Sequence, residues 1–255
     1  MPEPVIIAYL IFLGLAFGSF LNVCILRLPA GGSIFRPRSA CPACGRQLSW
    51  YENIPVVSYL ALRGRCRSCG VGISIMYPLV ELATGGIWVG SYLLFGGLWG
   101  TIHAAAFGTI LLGIAITDAR EYIIPDEFSV GGLVMGLALA FAPGLPEPLW
   151  AFVGAALSFG LMYGVAVVGE WAFKKPALGG GDIKMMAMVG AFLGPLYALL
   201  TIFVGSLVGA VIFGPIGLKT GKLVPFGVFL ALGAAIVYVW GDAMVGWYAV
   251  NILGL

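Results

Sequence analysis

Long apolar runs alternate along the whole chain with short clusters of charge, proline and glycine. Eight runs stand out, at 4–26, 75–96, 99–117, 127–143, 149–173, 183–194, 197–217 and 224–246. A helix that crosses a bilayer needs about 20 mostly apolar residues, and most of these runs are near that length. The sixth is not. At about 1.5 Å per residue it falls short of a hydrocarbon layer about 30 Å thick, so it either starts inside the membrane or merges with the seventh across Gly194 and Pro195. The expectation is an all-α polytopic membrane protein with about eight transmembrane helices. The first run follows "MPEP", which carries an acid in place of a positive lead-in, and no small-residue cleavage site follows it. It therefore reads as a retained anchor and not a removed signal.

Composition agrees with this pattern. Of the 255 residues 61% are hydrophobic and 9% charged, against roughly a quarter charged in soluble domains. The distribution of charge also predicts an orientation. With the amino terminus outside, the segments facing the cytoplasm are 27–74, 118–126, 174–184 and 218–223. They hold Arg27 and six further arginines of the first loop, then Arg120, Lys174, Lys175, Lys184, Lys219 and Lys222, which are all 13 basic residues of the chain. Excess Lys and Arg marks the cytoplasmic side, so topology accounts for the basic residues and no nucleic-acid partner is implied. Trp99, Trp150, Trp171 and Trp247 lie near the expected membrane interfaces. The domain organisation predicted is a first transmembrane helix at 1–27, a cytoplasmic loop at 28–74 and a membrane domain at 75–255.

That loop contains "CPACGRQLSW" and "RGRCRSCG". Cys41 and Cys44 form one C-x-x-C and Cys66 and Cys69 another, the arrangement of a tetrahedral four-cysteine zinc site in which each pair clasps one side of the ion. Reducing conditions in the cytoplasm argue against two disulfides. The loop is too small to bury an adequate core, so a metal would supply folding energy. A closed thiolate site leaves no position for a reacting water, and the zinc is read as structural. Cys24, on the first run, is read as a packing residue.

Two polar stretches on the same side share a form. "AITDAREYIIPDEF" places Asp118 where the third run ends, with Pro125 and Asp126 before the fourth; "KKPALGGGDIKMM" places Asp182 where the sixth begins. Acids at membrane depth are costly and usually functional. Two carboxylates brought together do not both ionise readily, and such a pair can share a proton as in aspartic proteases. Gly179, Gly180 and Gly181 would let an extended substrate approach the backbone. Taken alone, the glycines are equally a flexible loop and Asp182 a helix cap; the matched Asp118 weights the reading toward chemistry. Asp126 is either a partner of that site or the cap of the next helix. Glu81 and Glu170 lie inside runs and are expected to face the bundle interior. His103 stands alone near the outer side and reads as packed or interfacial. Serine-hydrolase and zincin motifs are missing from the sequence.

The segments "FGSFLNVCILRLP", the paired C-x-x-C loop with "ENIPVVSYLALRGRC", "YPLVELATG", "DAREYIIPD", "ALGGGDIK" and "PFGVFLALGA" together resemble bacterial type IV prepilin peptidases. The resemblance implies a GxGD-type membrane aspartic protease of the bacterial inner membrane, with Asp118 and Asp182 catalytic and Gly179, Gly181, Lys184, Pro125 and Asp126 in support. It implies as substrates the precursors of type IV pilins or type II secretion pseudopilins, cut on the cytoplasmic side after a leader ending in glycine. Relatives with the four-cysteine loop also methylate the new amino terminus with S-adenosylmethionine; the region near Glu52, Asn53 and Gly64 is the expected place, although no G-x-G-x-x-G follows a strand. Arg120 stands where many relatives carry another aspartate, so a three-acid cluster is not available. The competing readings are a proton-coupled transporter, against which the boundary position of the acids and the lack of inverted repeats count, and a zinc-stabilised assembly factor without catalysis.

Overall fold

The computed structural model describes residues 2–175, 178–220 and 224–254; Lys222 and the side chain of Lys219 lie outside the described set. The chain folds as helices α1 (Glu3–Arg27), α2 (Val57–Ala61), α3 (Met76–Phe95), α4 (Leu98–Glu121), α5 (Asp126–Leu139), α6 (Pro148–Phe173), α7 (Gly180–Thr220) and α8 (Phe226–Tyr248). Six of them, α1, α3, α4, α6, α7 and α8, are long and apolar enough to cross a membrane.

Three of the expected eight runs take other forms. The fourth becomes α5, a 14-residue helix only about 21 Å long, because Pro143 and a left-handed Gly144 (φ 77°) turn the chain soon after it. The sixth and seventh merge into α7, whose 41 residues are interrupted at Gly194 (φ 75°, ψ 177°). A residue before proline is pushed out of the helical region, and glycine alone adopts this φ without strain. The helix therefore breaks at Gly194 and resumes.

The chain divides into two compact units, Met1–Thr109 and Ile110–Leu255. In the first, α1 packs along α3. A Cβ on Gly14 would lie 2.7 Å from the Gly85 Cα, and one on Gly18 2.6 Å from the Glu81 Cα. Small residues four apart thus bring the two backbones together, the usual means of joining helices in lipid. The same spacing puts Asn22 on that face, one turn nearer the cysteine loop.

In the second unit α7 is central, packed against α5, α6 and α8. Met185, Met186, Met188 and Val189 are fully buried there. At the α6–α7 crossing, a Cβ on either Gly154 or Gly190 would stand 2.2 Å from the other's carbonyl oxygen. Gly154→Val must force these helices apart, and overpacking of this kind costs about 1–3 kcal/mol or more. A clear fall in the thermal unfolding midpoint in detergent is expected; an unchanged midpoint would refute the close crossing.

The polar residues inside the apolar runs differ in burial. Glu81 and His103 are buried, as is Cys24. Glu170 is exposed, contrary to expectation. It lies in the last turn of α6.

Candidate active site and metal centre

Asp118 lies in the last turn of α4 and is buried. Its Oδ2 accepts a hydrogen bond of 3.0 Å from the Val228 N–H, and the Gly227 N–H also donates to it. These are donors of the first turn of α8, which follows Pro225 and has no side-chain cap of its own. An N-terminal turn needs acceptors, and a carboxylate suits the positive end of the helix dipole. A residue 110 positions earlier supplies it. A Cβ on Gly227 would fall 2.9 Å from the Asp118 Oδ2 and 2.7 Å from the Ile124 Cδ1.

Asp182 occupies the first turn of α7. Its N–H donates to the Gly179 carbonyl at 3.2 Å, and its carboxylate accepts the Gly179 N–H. This is the acid half of a reciprocal helix cap. Asp182 therefore does cap its helix, and it also lies close enough to Asp118 for the two carboxylates to interact electrostatically. Ile124 packs into the same cluster, its Cβ 3.0 Å from where a Cβ of Gly181 would be. The ends of α4, α7 and α8 thus bring Asp118, Asp182, Gly181, Gly227 and Ile124 together. Such a pair can hold one proton between them and titrates as a unit.

Pro125 is buried and precedes α5. Asp126, the first residue of α5, does not cap it; its carboxylate accepts both hydrogen bonds of the Lys184 Nζ, at 2.7 and 2.8 Å. The pair is exposed, so it contributes at most about 1 kcal/mol. It ties the start of α5 to the start of α7 beside the acids.

In the first unit the four cysteines converge, all their Sγ atoms within 4.8 Å of one another and Cys41 to Cys69 at 3.7 Å. Ligands around a tetrahedral zinc with arms of about 2.3 Å stand about 3.8 Å apart, so the donor set fits. Two matching knuckles build it. The Gly45 N–H donates to the Cys41 carbonyl and the Gly70 N–H to that of Cys66, each at 2.9 Å. Single bridges, Ala40 with Gln47 and Arg65 with Gly72, close the two turns. Both glycines have positive φ, 69° and 72°, which is why a glycine follows each C-x-x-C. The N–H groups of Cys69 and Ser68 hold the Cys66 thiol down at about 6, and those of Cys44 and Ala43 lower Cys41. These turns favour the thiolate, the form that binds metal, in the first cysteine of each pair; Cys69, although the Val71 N–H lowers it, is pushed up to about 11 by burial and the neighbouring thiols.

Residues 12–95 match the family model "Bacterial Peptidase A24 N-terminal domain" and residues 105–214 match "Type IV leader peptidase family". A "Prepilin leader peptidase/N-methyltransferase" of Aeromonas hydrophila is 34% identical over 280 residues, covering 96% of this chain and 94% of the relative. The chain belongs to the type IV leader peptidase family. A relative of the same printed name from Bacillus subtilis is 34% identical over 97% of this chain and 100% of its own. One from Myxococcus xanthus is 43% identical over 87% of this chain, which spans 66% of that relative's length. No solved structure matches.

Within this leader peptidase family member, Asp118 and Asp182 fall inside the second matched region, whereas Gly227 and Val228 lie beyond it. Those two were missed as site residues from sequence. The available signal was Pro225 opening a helix with no capping side chain, which leaves donors in need of an acceptor. The first matched region encloses a cavity of about 780 Å³ lined by α1, α3 and the cysteine loop, including Asn22, Glu52, Asn53, Tyr59 and Glu81. Glu52 is engaged already: Arg46 beside it and the Ser49 N–H hold its carboxyl below the usual range. Gly64, left-handed at φ 65°, packs under Tyr59.

Proposed function

We propose that this chain removes the leader of type IV prepilins or pseudopilins, with Asp118 and Asp182 as its catalytic pair. The observation that carries the proposal is the meeting of these two acids at helix ends in a member of a leader peptidase family. One carboxylate of the pair takes a proton from a water, whose oxygen attacks the scissile carbonyl carbon. The other, protonated, donates a hydrogen bond to the carbonyl oxygen. Collapse of the tetrahedral intermediate breaks the C–N bond, and the leaving amine takes a proton from the pair. Gly179 and Gly181 leave the backbone open to an extended substrate, Lys184 and Asp126 join the neighbouring helix starts, and Pro125 sets the entry of α5. The positive-inside distribution supports a site at the cytoplasmic face of the inner membrane, with the amino terminus outside. No observation favours a transporter or an assembly factor.

The relatives' printed name supports a second activity, amino-terminal methylation. S-adenosylmethionine would supply a methyl group from its sulfonium. The cavity of about 780 Å³ lies in the usual range for small-molecule sites, roughly 300–1,000 Å³, and its buried polar lining fits such a donor. Leader removal and label incorporation should both follow when the detergent-purified protein meets a prepilin and a labelled methyl donor. An inert wild type defeats the peptidase assignment; cleavage without label defeats only methylation.

Cys41, Cys44, Cys66 and Cys69 are proposed to hold a structural zinc. Cys41→Ser should lose most of the metal, measured by elemental analysis, and should expose residues 28–74 to limited proteolysis, since metal binding and folding are one equilibrium in domains this small. Unchanged zinc content would sink the assignment.

A further inference from the structure

We propose that Asn22 and Glu81 form a binding site for a primary ammonium group in the cavity of the first unit. Both side chains line it, and both are buried, at 3% and 8% exposure. The Asn22 amide donates from Nδ2 to the Tyr77 carbonyl at 2.9 Å, which fixes its orientation and leaves Oδ1 buried without any partner. A buried acceptor of that kind is costly unless something donates to it. Glu81 accepts the Val56 N–H at 2.7 Å and a hydrogen bond from Ser19. Among the described residues it has no ion pair, and the basic side chains near the cavity are engaged elsewhere. Arg46 pairs with Glu52, Arg27 donates to the Ser33 carbonyl and Arg67 to the Tyr51 hydroxyl.

The helix crossing explains why these two groups share one place. Gly14 and Gly18 press α1 against Gly85 and Glu81 of α3, and Asn22 continues the same four-residue spacing. Val56 is held at φ 60° and ψ −48° with its N–H aimed at Glu81. A β-branched residue in that conformation is an outlier, and strain of this kind persists where a site depends on it. A carboxylate and an orphan amide oxygen in the lining of one cavity provide acceptors and negative charge with no cation to match. A primary ammonium supplies three donors and the missing charge.

The ammonium has two sources in the reaction proposed above, and the choice between them is where this inference rests on that reading: the amino terminus freed by cleavage, or the amino-acid end of the methyl donor. Equilibrium binding to the full chain in detergent separates them. One pair of probes is a short apolar peptide with a free amino terminus and its N-acetylated twin. The other is S-adenosylhomocysteine and 5′-methylthioadenosine, which lacks the amino-acid end. The wild type should prefer the amine-bearing member of one pair by roughly tenfold, the worth of one charge-assisted hydrogen bond, and that pair names the source. Glu81→Gln keeps an acceptor for the Val56 N–H and removes the charge, so the preference should vanish while the amine-free member binds as before. Asn22→Asp adds a charge and should keep or raise the preference, a pair of opposite responses that general damage to the fold does not produce. The site is overturned if the wild type prefers neither amine, if Glu81→Gln retains the preference, or if Asn22→Asp loses it. Amine preference in a protein that transfers no methyl group would uphold this site and defeat the methyltransferase reading; methyl transfer without the preference would do the reverse.

Discussion

Asparagine at either Asp118 or Asp182 should slow prepilin leader removal by roughly 10²–10⁴-fold or more, the contribution of a positioned acid or base. The substitution is nearly isosteric, so the hydrogen bond from Val228 to residue 118 and the cap on the α7 turn can persist while the proton chemistry is lost. Asparagine neither accepts a proton from water nor presents a carboxylic O–H to the scissile carbonyl. Because one proton serves two carboxylates, the double variant should be little worse than either single one, as for groups acting as a unit. Leader removal read by mass spectrometry at matched thermal midpoints checks this. A single variant that still cleaves within about threefold of the wild type removes that residue from the pair, and independent, multiplying losses would contradict shared-proton chemistry.

The parts of this site that carry side-chain chemistry were legible before any coordinates. A run too apolar for water shows a helix in lipid, so the acids at its ends were conspicuous. Two C-x-x-C pairs announced the four-cysteine cluster, whose Sγ atoms converge as a metal site would require. What was hidden depends on backbone. The donors to Asp118 are N–H groups of Gly227 and Val228, and every residue but proline carries one, so no residue type marks them. The length of α5 was set by local φ at Gly144, which periodicity does not register, whereas the joining of the sixth and seventh runs across Gly194 was one of the two outcomes expected from their lengths. Glu81 was visible as an acid inside an apolar run, but its neighbour Asn22 was not, because its importance lies in an oxygen left unpaired by packing. Glu170 shows the opposite error: an acid within an apolar run, yet exposed at the end of its helix.

Gly227→Ala should reduce cleavage by about 10²-fold or more although neither acid is substituted. The added methyl would lie 2.9 Å from the Asp118 Oδ2 and 2.7 Å from the Ile124 Cδ1. Ile124 is wedged against Gly181 on its other side, so it has little room to retreat. The remaining outcomes are a shift of the Asp118 carboxylate or of the α8 turn that holds it, and both change the separation of the two acids. Misplacement by about 1 Å is enough for a loss of this size when a reaction depends on positioned groups. The position tolerates nothing between glycine and displacement, which makes the sign of the effect firm. Ile124→Ala supplies the control, since it removes the Cδ1 against which the new methyl packs. Combined with Gly227→Ala, it should recover part of the lost rate, whereas alone it should cost less than the glycine substitution. If the alanine at 227 is harmless, the α8 turn is not what positions Asp118; if the second substitution brings no recovery, the crowding at Ile124 is not the cause.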